Sequence, residues 1–354
     1  MPERTVVTVL GAGAMGAALT RPLAENGHDV RLWGTWLDDD IVEALRAGHD
    51  HPRIHVAVDP RVRVFASGEL EQAMDGAGVV ALAISSDGVV DVLRRAVPFL
   101  GPGSLLPITT KGFGRDPAGR VTILPPLLEA ELPESLRSTT SVLAIGGPCK
   151  ANEVAAGRPT ATVYAGGTDA VTRVRGLAQT PWYRIQATDD IPGLEVAAAM
   201  KNVYAMALGV CEGLGERGTA GGSPEPWHNL ASAVYTQALL EMGRLAVALG
   251  GRAETVYGLA GSGDLQVTNL SGRNKLYGVR IGRGEQAGEA LAAMRAAGQT
   301  VEGVPACALA AELVTSGAAP GVGPDQTPLL TALGRVLDGE PDAVGTLSAA
   351  VLPD

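Results

Sequence analysis

A doubly wound α/β sheet followed by an all-α helical domain is the fold class this sequence predicts, from three observations. The apolar run Val6-Val-Thr-Val-Leu10 ends in Gly11-Ala-Gly-Ala-Met-Gly16 and passes into a stretch with helical apolar spacing. Strand-like runs then recur through residue 165 with helical stretches between several of them, the alternation of a mostly parallel sheet. Beyond residue 190 the chain reads as helices rich in Ala, Leu and Glu, with no convincing strand.

The elements follow in order. Residues 14–26 carry apolar positions on one helical face and stop at Gly27, and Asp29-Val-Arg-Leu-Trp33 is a second strand, which completes a right-handed βαβ unit. Further strands are expected over 78–84, 104–109, 141–145 and 161–165, which makes the N-terminal part a Rossmann-type sheet. The pattern changes at Pro192-Gly193, so the division falls at about residue 190: a dinucleotide-binding domain over 1–190 and a helical substrate-binding domain over 191–354. Residues 194–211 form an apolar helix expected to lie inside protein, and the glycine-rich 213–226, with two prolines, is expected to be a loop.

The 354 residues suit two domains, each able to bury a core. Aromatics make up only 4%, so Ala, Val and Leu must fill the interior. A net charge of -10 excludes a general affinity for nucleic acid or an anionic membrane surface, and any anionic ligand must be held by a local basic cluster. Cys149, Cys211 and Cys307 are far apart and not at metal-ligand spacing, and the N-terminus lacks the pattern of a secretory signal; both point to a cytoplasmic protein with reduced thiols. The histidines 49, 51 and 55 lack acidic or cysteine partners and read as a polar loop, so no metal is expected.

Gly11, Gly13 and Gly16 form a GxGxxG pattern between a strand and a helix. The first glycine makes the turn, the second admits a pyrophosphate, and the third lets the helix pack closely. At the end of the second strand stands Trp33-Gly-Thr-Trp36, with no acid for a ribose hydroxyl. Thr35, helped by Arg53, is the candidate contact to a 2′-phosphate, so the cofactor is NADP or NAD with a lean to NADP.

Lys201 is one of two formal charges in residues 194–211, and Glu195 lies at an offset of about 240° from it. A buried ammonium needs a partner, and burial tends to lower its pKa, as a proton donor to a carbonyl oxygen requires. Asp264 in the glycine-rich segment 258–275 is that partner. Thr268, four residues on, shares its helical face, and Arg273, Asn274 and Lys275 follow with charge and donors suited to a phosphate. Lys111 follows a strand of the first domain, where open α/β sheets meet their ligands.

Together, Gly11-Ala-Gly-Ala-Met-Gly16, Lys111-Gly112, Gly147-Pro148, Lys201-Asn-Val203, the segment 258–274 and Val301-Glu-Gly303 resemble the NAD(P)-dependent sn-glycerol-3-phosphate dehydrogenase family over nearly the whole chain, with wording similar to archaeal-type members. The resemblance implies Lys201 as the proton donor and acceptor beside Asp264, and substrate contacts at Lys111, Asn202, Thr268, Arg273 and Asn274. It implies cofactor contacts at Gly11, Gly13, Ala14, Met15 and Gly16, at Thr35 and Lys111, and at Ala151, Arg273 and Glu302. The chain departs from the family at Cys149-Lys150-Ala151 and at Gly272, and Lys150 adds a cation that would favour a more anionic ligand.

The expected reaction is interconversion of dihydroxyacetone phosphate and sn-glycerol 3-phosphate with NAD(P)H. The expected partners are a small phosphorylated substrate and a second copy of the chain, without nucleic acid or integral membrane insertion. Two alternatives stay open: a 3-hydroxyacid-type dehydrogenase acting on another phosphorylated or carboxylated ketone, and a catalytically silent nucleotide-binding protein.

Overall fold

The computed structural model describes residues 4–217 and 225–353, which divide into two compact units. The first comprises residues up to Lys111 together with Leu124–Ile191. The second comprises Gly112–Ile123 and the chain from Pro192 onward.

The first unit is built on an eight-stranded sheet of β1 (Val6–Leu10), β2 (Asp29–Trp33), β3 (Arg63–Phe65), β4 (Val79–Leu82), β5 (Leu105–Ile108), β8 (Ser141–Gly146), β9 (Thr160–Ala165) and β10 (Tyr183–Thr188). Its spatial order is β10-β9-β8-β5-β4-β1-β2-β3, and every pair is parallel except β8 with β9. The chain runs outward from β1 through β2 to β3, then returns to β4 on the other side of β1. That reversal makes the carboxyl end of β1 the crevice where such sheets hold ligands. β1, β4 and β5 are almost wholly buried, which explains their continuous apolar runs.

Two strands escaped the sequence reading. β3 has three residues, too few for a periodic signal, and β10 is an edge strand whose Arg184 and Gln186 face solvent and dilute its apolar content. β2 and β3 are also joined by charge: Asp29 takes Arg63 through both carboxylate oxygens, at 3.2 and 2.6 Å, and Arg31 at 3.4 Å. Partial burial pulls the Asp29 carboxyl up, but the hydrogen bonds and charges of Arg63 and Arg31 outweigh it and hold the group below the usual carboxylate range.

In the second unit the helix Ile191–Arg217 is longer than residues 194–211 at both ends. Pro192 falls in its first turn, where the missing N–H costs no hydrogen bond, and Gly213 continues the helix instead of opening a loop. The remainder of the expected loop, residues 218–224, lies outside the described residues. Every residue from 193 to 211 is buried, so a helix apolar and long enough to cross a membrane serves here as the core of its unit. Residues 113–123 add the one departure from all-helical structure in this unit among the described residues. They form an antiparallel hairpin of β6 (Phe113–Arg115) and β7 (Val121–Ile123), with Arg115 paired to Glu312 of the helix Gly303–Thr315.

Two features hold the helices of this unit together. Glycines at 209 and 213 on the long helix face glycines at 278 and 282 on the helix Arg273–Gly282, so the backbones touch. A Cβ on Gly278 would stand 2.0 Å from the carbonyl oxygen of Met206, and one on Gly213 2.1 Å from that of Val279. The second feature is Glu241, fully buried on the helix His228–Ala248. Its carboxylate accepts from Tyr204 Oη, Gln237 Nε2 and the N–H groups of Leu329 and Leu330, which open the helix Pro328–Leu337.

Gly278→Ala forces backbones apart that no rotamer change can separate, and is expected to cost about 1–3 kcal/mol or more in chemical denaturation. For Asp29 the depressed folded-state pKa means its stabilisation is present above the ordinary carboxylate range and is lost as pH falls through it. Asp29→Asn should therefore lower the urea midpoint at pH 7 by a small amount, roughly 1 kcal/mol or less for so exposed a pair. That difference should close as pH falls through the depressed folded-state pKa of Asp29.

Candidate active site

After Leu10 the chain turns at Gly11, whose φ of +104° suits glycine. A Cβ on Gly16 would lie 1.9 Å from the Gly11 carbonyl oxygen, so this residue lets the helix Ala14–Glu25 start directly against the strand. At Gly13 a Cβ would meet nothing within 4 Å. The open side of the loop is there, and no side chain caps the helix that Ala14 and Met15 begin. Bare first-turn N–H groups beside an open glycine suit the pyrophosphate of a dinucleotide.

Two residues outside the motif hold this loop by the residue between its first two glycines. The Ala12 N–H donates to Asp38 Oδ2 at 3.3 Å, and the Ala12 carbonyl lies 2.8 Å from His51 Nε2. Because the Arg53 N–H donates to His51 Nδ1, that nitrogen is an acceptor and Nε2 carries the proton given to Ala12. His51 is fully buried. Among the described residues no three His, Cys, Asp or Glu side chains gather as a metal site.

Neither residue is legible as a loop anchor in the sequence: Asp38 stands at the capping position before the helix Asp39–Arg46, and His51, expected in a polar loop, is buried because of a contact that spans 39 residues. Thr35 needs correction: its hydroxyl donates inward to Asp38 at 2.8 Å and it is only 7% exposed, so it does not face a 2′-phosphate. Arg53 is exposed on the far side of its bond to His51. Lys111 lies just beyond β5, and Ala151 opens a short helix just beyond β8 with Lys150 before it; all three are half-buried.

In the second unit, Lys201 Nζ donates to Asp264 Oδ1 at 2.5 Å and to Thr268 Oγ1 at 3.0 Å. The aspartate is 1% exposed and the lysine 8%, so the pair is almost wholly buried. Asp264 is placed by a five-residue π-helical turn, Leu259–Gly263, in which a Cβ on Gly261 would strike the Val256 carbonyl oxygen at 2.1 Å. Asp264 and Thr268 then share a face of the helix Asp264–Leu270, as their spacing predicts. The Thr268 hydroxyl donates to the Asp264 carbonyl and accepts from Lys201, so it orients the lysine.

Asn274 is 7% exposed, and its side chain donates to Asn202 Oδ1 at 2.9 Å and accepts from the Gly303 N–H at 2.9 Å. Asn202 in turn lies 3.5 Å from Glu302 Oε2. This network locks the residue after Lys201, with Asn274 facing inward as part of it. Arg273, at the start of its helix, is half-exposed; its Nε donates to the Thr300 carbonyl and its Nη2 lies 3.5 Å from Glu302. Lys275 is turned away to Glu212 at 2.6 Å and leaves the cluster expected in segment 258–275.

The first unit is a dinucleotide-type α/β sheet and the second a helical unit with a buried, ion-paired lysine, a combination that defines the chain as a nicotinamide-dependent dehydrogenase by class. Comparison with known proteins gives the particular family. The family description "NAD-dependent glycerol-3-phosphate dehydrogenase N-terminus" matches residues 6–171, and its C-terminal counterpart matches residues 190–346. The NADP(+)-dependent glycerol-3-phosphate dehydrogenase of Archaeoglobus fulgidus is 36% identical over 81% of this chain and 82% of its own length. The glycerol-3-phosphate dehydrogenase [NAD(P)+] of Geobacter sulfurreducens is 34% identical over 85% of each chain. The crystal structure of glycerol-3-phosphate dehydrogenase from Coxiella burnetii superposes with a TM-score of 0.81 at 27% identity, over 99% of this chain and 100% of that one. The chain belongs to the NAD-dependent glycerol-3-phosphate dehydrogenase family.

His51→Leu removes the donor to the Ala12 carbonyl and should weaken dinucleotide binding, measured by calorimetry, by the equivalent of about 1–3 kcal/mol, with a parallel fall in thermal midpoint.

Proposed function

We propose that this protein interconverts dihydroxyacetone phosphate and sn-glycerol 3-phosphate, with Lys201 as the proton donor and acceptor. The observation that carries the reading is the Lys201 ammonium, gripped by Asp264 and Thr268 on an almost wholly buried helix. NAD(P)H, when bound at the glycine loop, supplies the hydride.

Lys201 stands ready to give a proton to the substrate oxygen as negative charge develops there, and to take it back in the oxidation direction. Asp264 pairs with the ammonium and aims it, and Thr268 adds a second contact. Asn202, the next residue on the helix, is held in place by Asn274 and Glu302. Arg273 is half-exposed at a helix N-terminus, where its guanidinium and the helix dipole together favour a phosphate. Lys111, Ala151 and Lys150 at the carboxyl ends of β5 and β8 are the first unit's contributions to cofactor and substrate contact. A cytoplasmic location is part of this reading, supported by the buried thiols Cys211 and Cys307, both pushed up to about 12 by burial. A homodimer is also part of it, to be read by sedimentation equilibrium.

The test is NAD(P)H oxidation with dihydroxyacetone phosphate. Lys201→Ala should bind dinucleotide normally while turnover falls roughly a hundred- to thousandfold, the usual effect of losing one such donor. Near-normal turnover in that variant would remove Lys201 from the chemistry. Arg273→Leu should act mainly on the substrate KM, since the guanidinium binds the phosphate equally in ground and transition states.

A further inference from the structure

Beside the glycine loop, the tip of β2 carries a feature that the anchoring of Ala12 does not use. Trp36 is 44% exposed and Leu37 74%, a large apolar surface directly after a strand whose other residues are buried. Over the Trp36 ring, at 4.4 Å from its centroid, stands the guanidinium of Arg95 in the last turn of the helix Val89–Ala96. Among the described residues this is the one interaction Arg95 makes, with neither hydrogen bond nor ion pair. Its neighbour Arg94 shows the contrast: its Nε and Nη2 donate to Glu131 at 2.6 and 2.9 Å.

The groups that would otherwise decide the cofactor here are turned inward. Asp38 is 7% exposed, and its Oδ2 accepts from the Ala12 and Thr35 N–H groups and the Thr35 hydroxyl, so that oxygen is spent on the protein itself. Asp39 and Asp40 are exposed in the first turn of the next helix. A guanidinium held over an aromatic ring, with no carboxylate partner among the described residues, has N–H donors available for a bidentate anion contact.

We propose that Trp36 and Arg95 form the recognition surface for a 2′-phosphorylated adenosine, Arg95 binding the 2′-phosphate and Trp36 flanking the adenine. The pair, in place of Thr35, then sets a preference for NADP over NAD. The inference rests on reading Gly11–Gly16 as a dinucleotide loop, and the fragments chosen to test it carry no nicotinamide and need no turnover.

The native protein is titrated calorimetrically with 2′,5′-ADP and with 5′-AMP, with tryptophan fluorescence recorded alongside. The expected result is tighter binding of 2′,5′-ADP with quenching that Trp36→Phe abolishes. Arg95→Leu should lose about tenfold or more in affinity for 2′,5′-ADP and less than about twofold for 5′-AMP, and the adjacent Arg94→Leu should change neither. Equal native affinity for the two fragments, or an equal loss of both in Arg95→Leu, overturns the proposal while leaving the dinucleotide loop in place. Failure of both fragments to bind overturns the loop reading as well.

Discussion

A cation inside a helix without a polar face is the constraint on which the second unit turns. The ammonium of Lys201 cannot remain charged among the apolar residues of the helix Ile191–Arg217 without a carboxylate, and Asp264 reaches it from 63 residues away. To deliver that carboxylate the chain makes a π-helical turn with a glycine pressed on the Val256 carbonyl. It then winds the helix that brings Thr268 to the same nitrogen. A structural demand and the proposed chemical role are met by one arrangement: a desolvated ammonium paired with Asp264 is held in one direction.

Backbone contact through glycine recurs as the means of placing polar groups. Gly16 sets a helix end on the turn of Gly11, which aims bare N–H groups at the open side of Gly13. The facing glycines of the helices Ile191–Arg217 and Arg273–Gly282 bring Asn274 within hydrogen-bonding reach of Asn202, about one turn from where the backbones touch. Side chains at these crossings would add packing, but would push the functional groups out of register.

The polar groups nearest the glycine loop work mostly on the protein itself. Asp38 and His51 hold the two backbone atoms of Ala12, one as acceptor and one as donor, so neither end of that peptide can swing toward a ligand. Such a loop is rigid before anything binds, which reduces the ordering cost of holding a flexible dinucleotide. The groups left over from this anchoring at the tip of β2 are an exposed indole and a guanidinium that has no carboxylate partner among the described residues.

The sequence by itself determined the order of β1, its glycine turn and its helix, the change to helices after about residue 190, and the pairing of Lys201 with Asp264 across one face shared with Thr268. These were legible because each rests on a local rule: apolar periodicity, turn chemistry, or the cost of an unpaired buried charge. Tertiary structure alone decided the rest. β3 and β10 exist because neighbouring strands pair with them, not because their own residues alternate cleanly. The inward turn of Thr35, the grip of His51 on Ala12, the diversion of Lys275 to Glu212 and the stack of Arg95 on Trp36 join residues that no periodicity links. A side chain's identity limits what it can bind, and only the packed fold determines which partner has already claimed it.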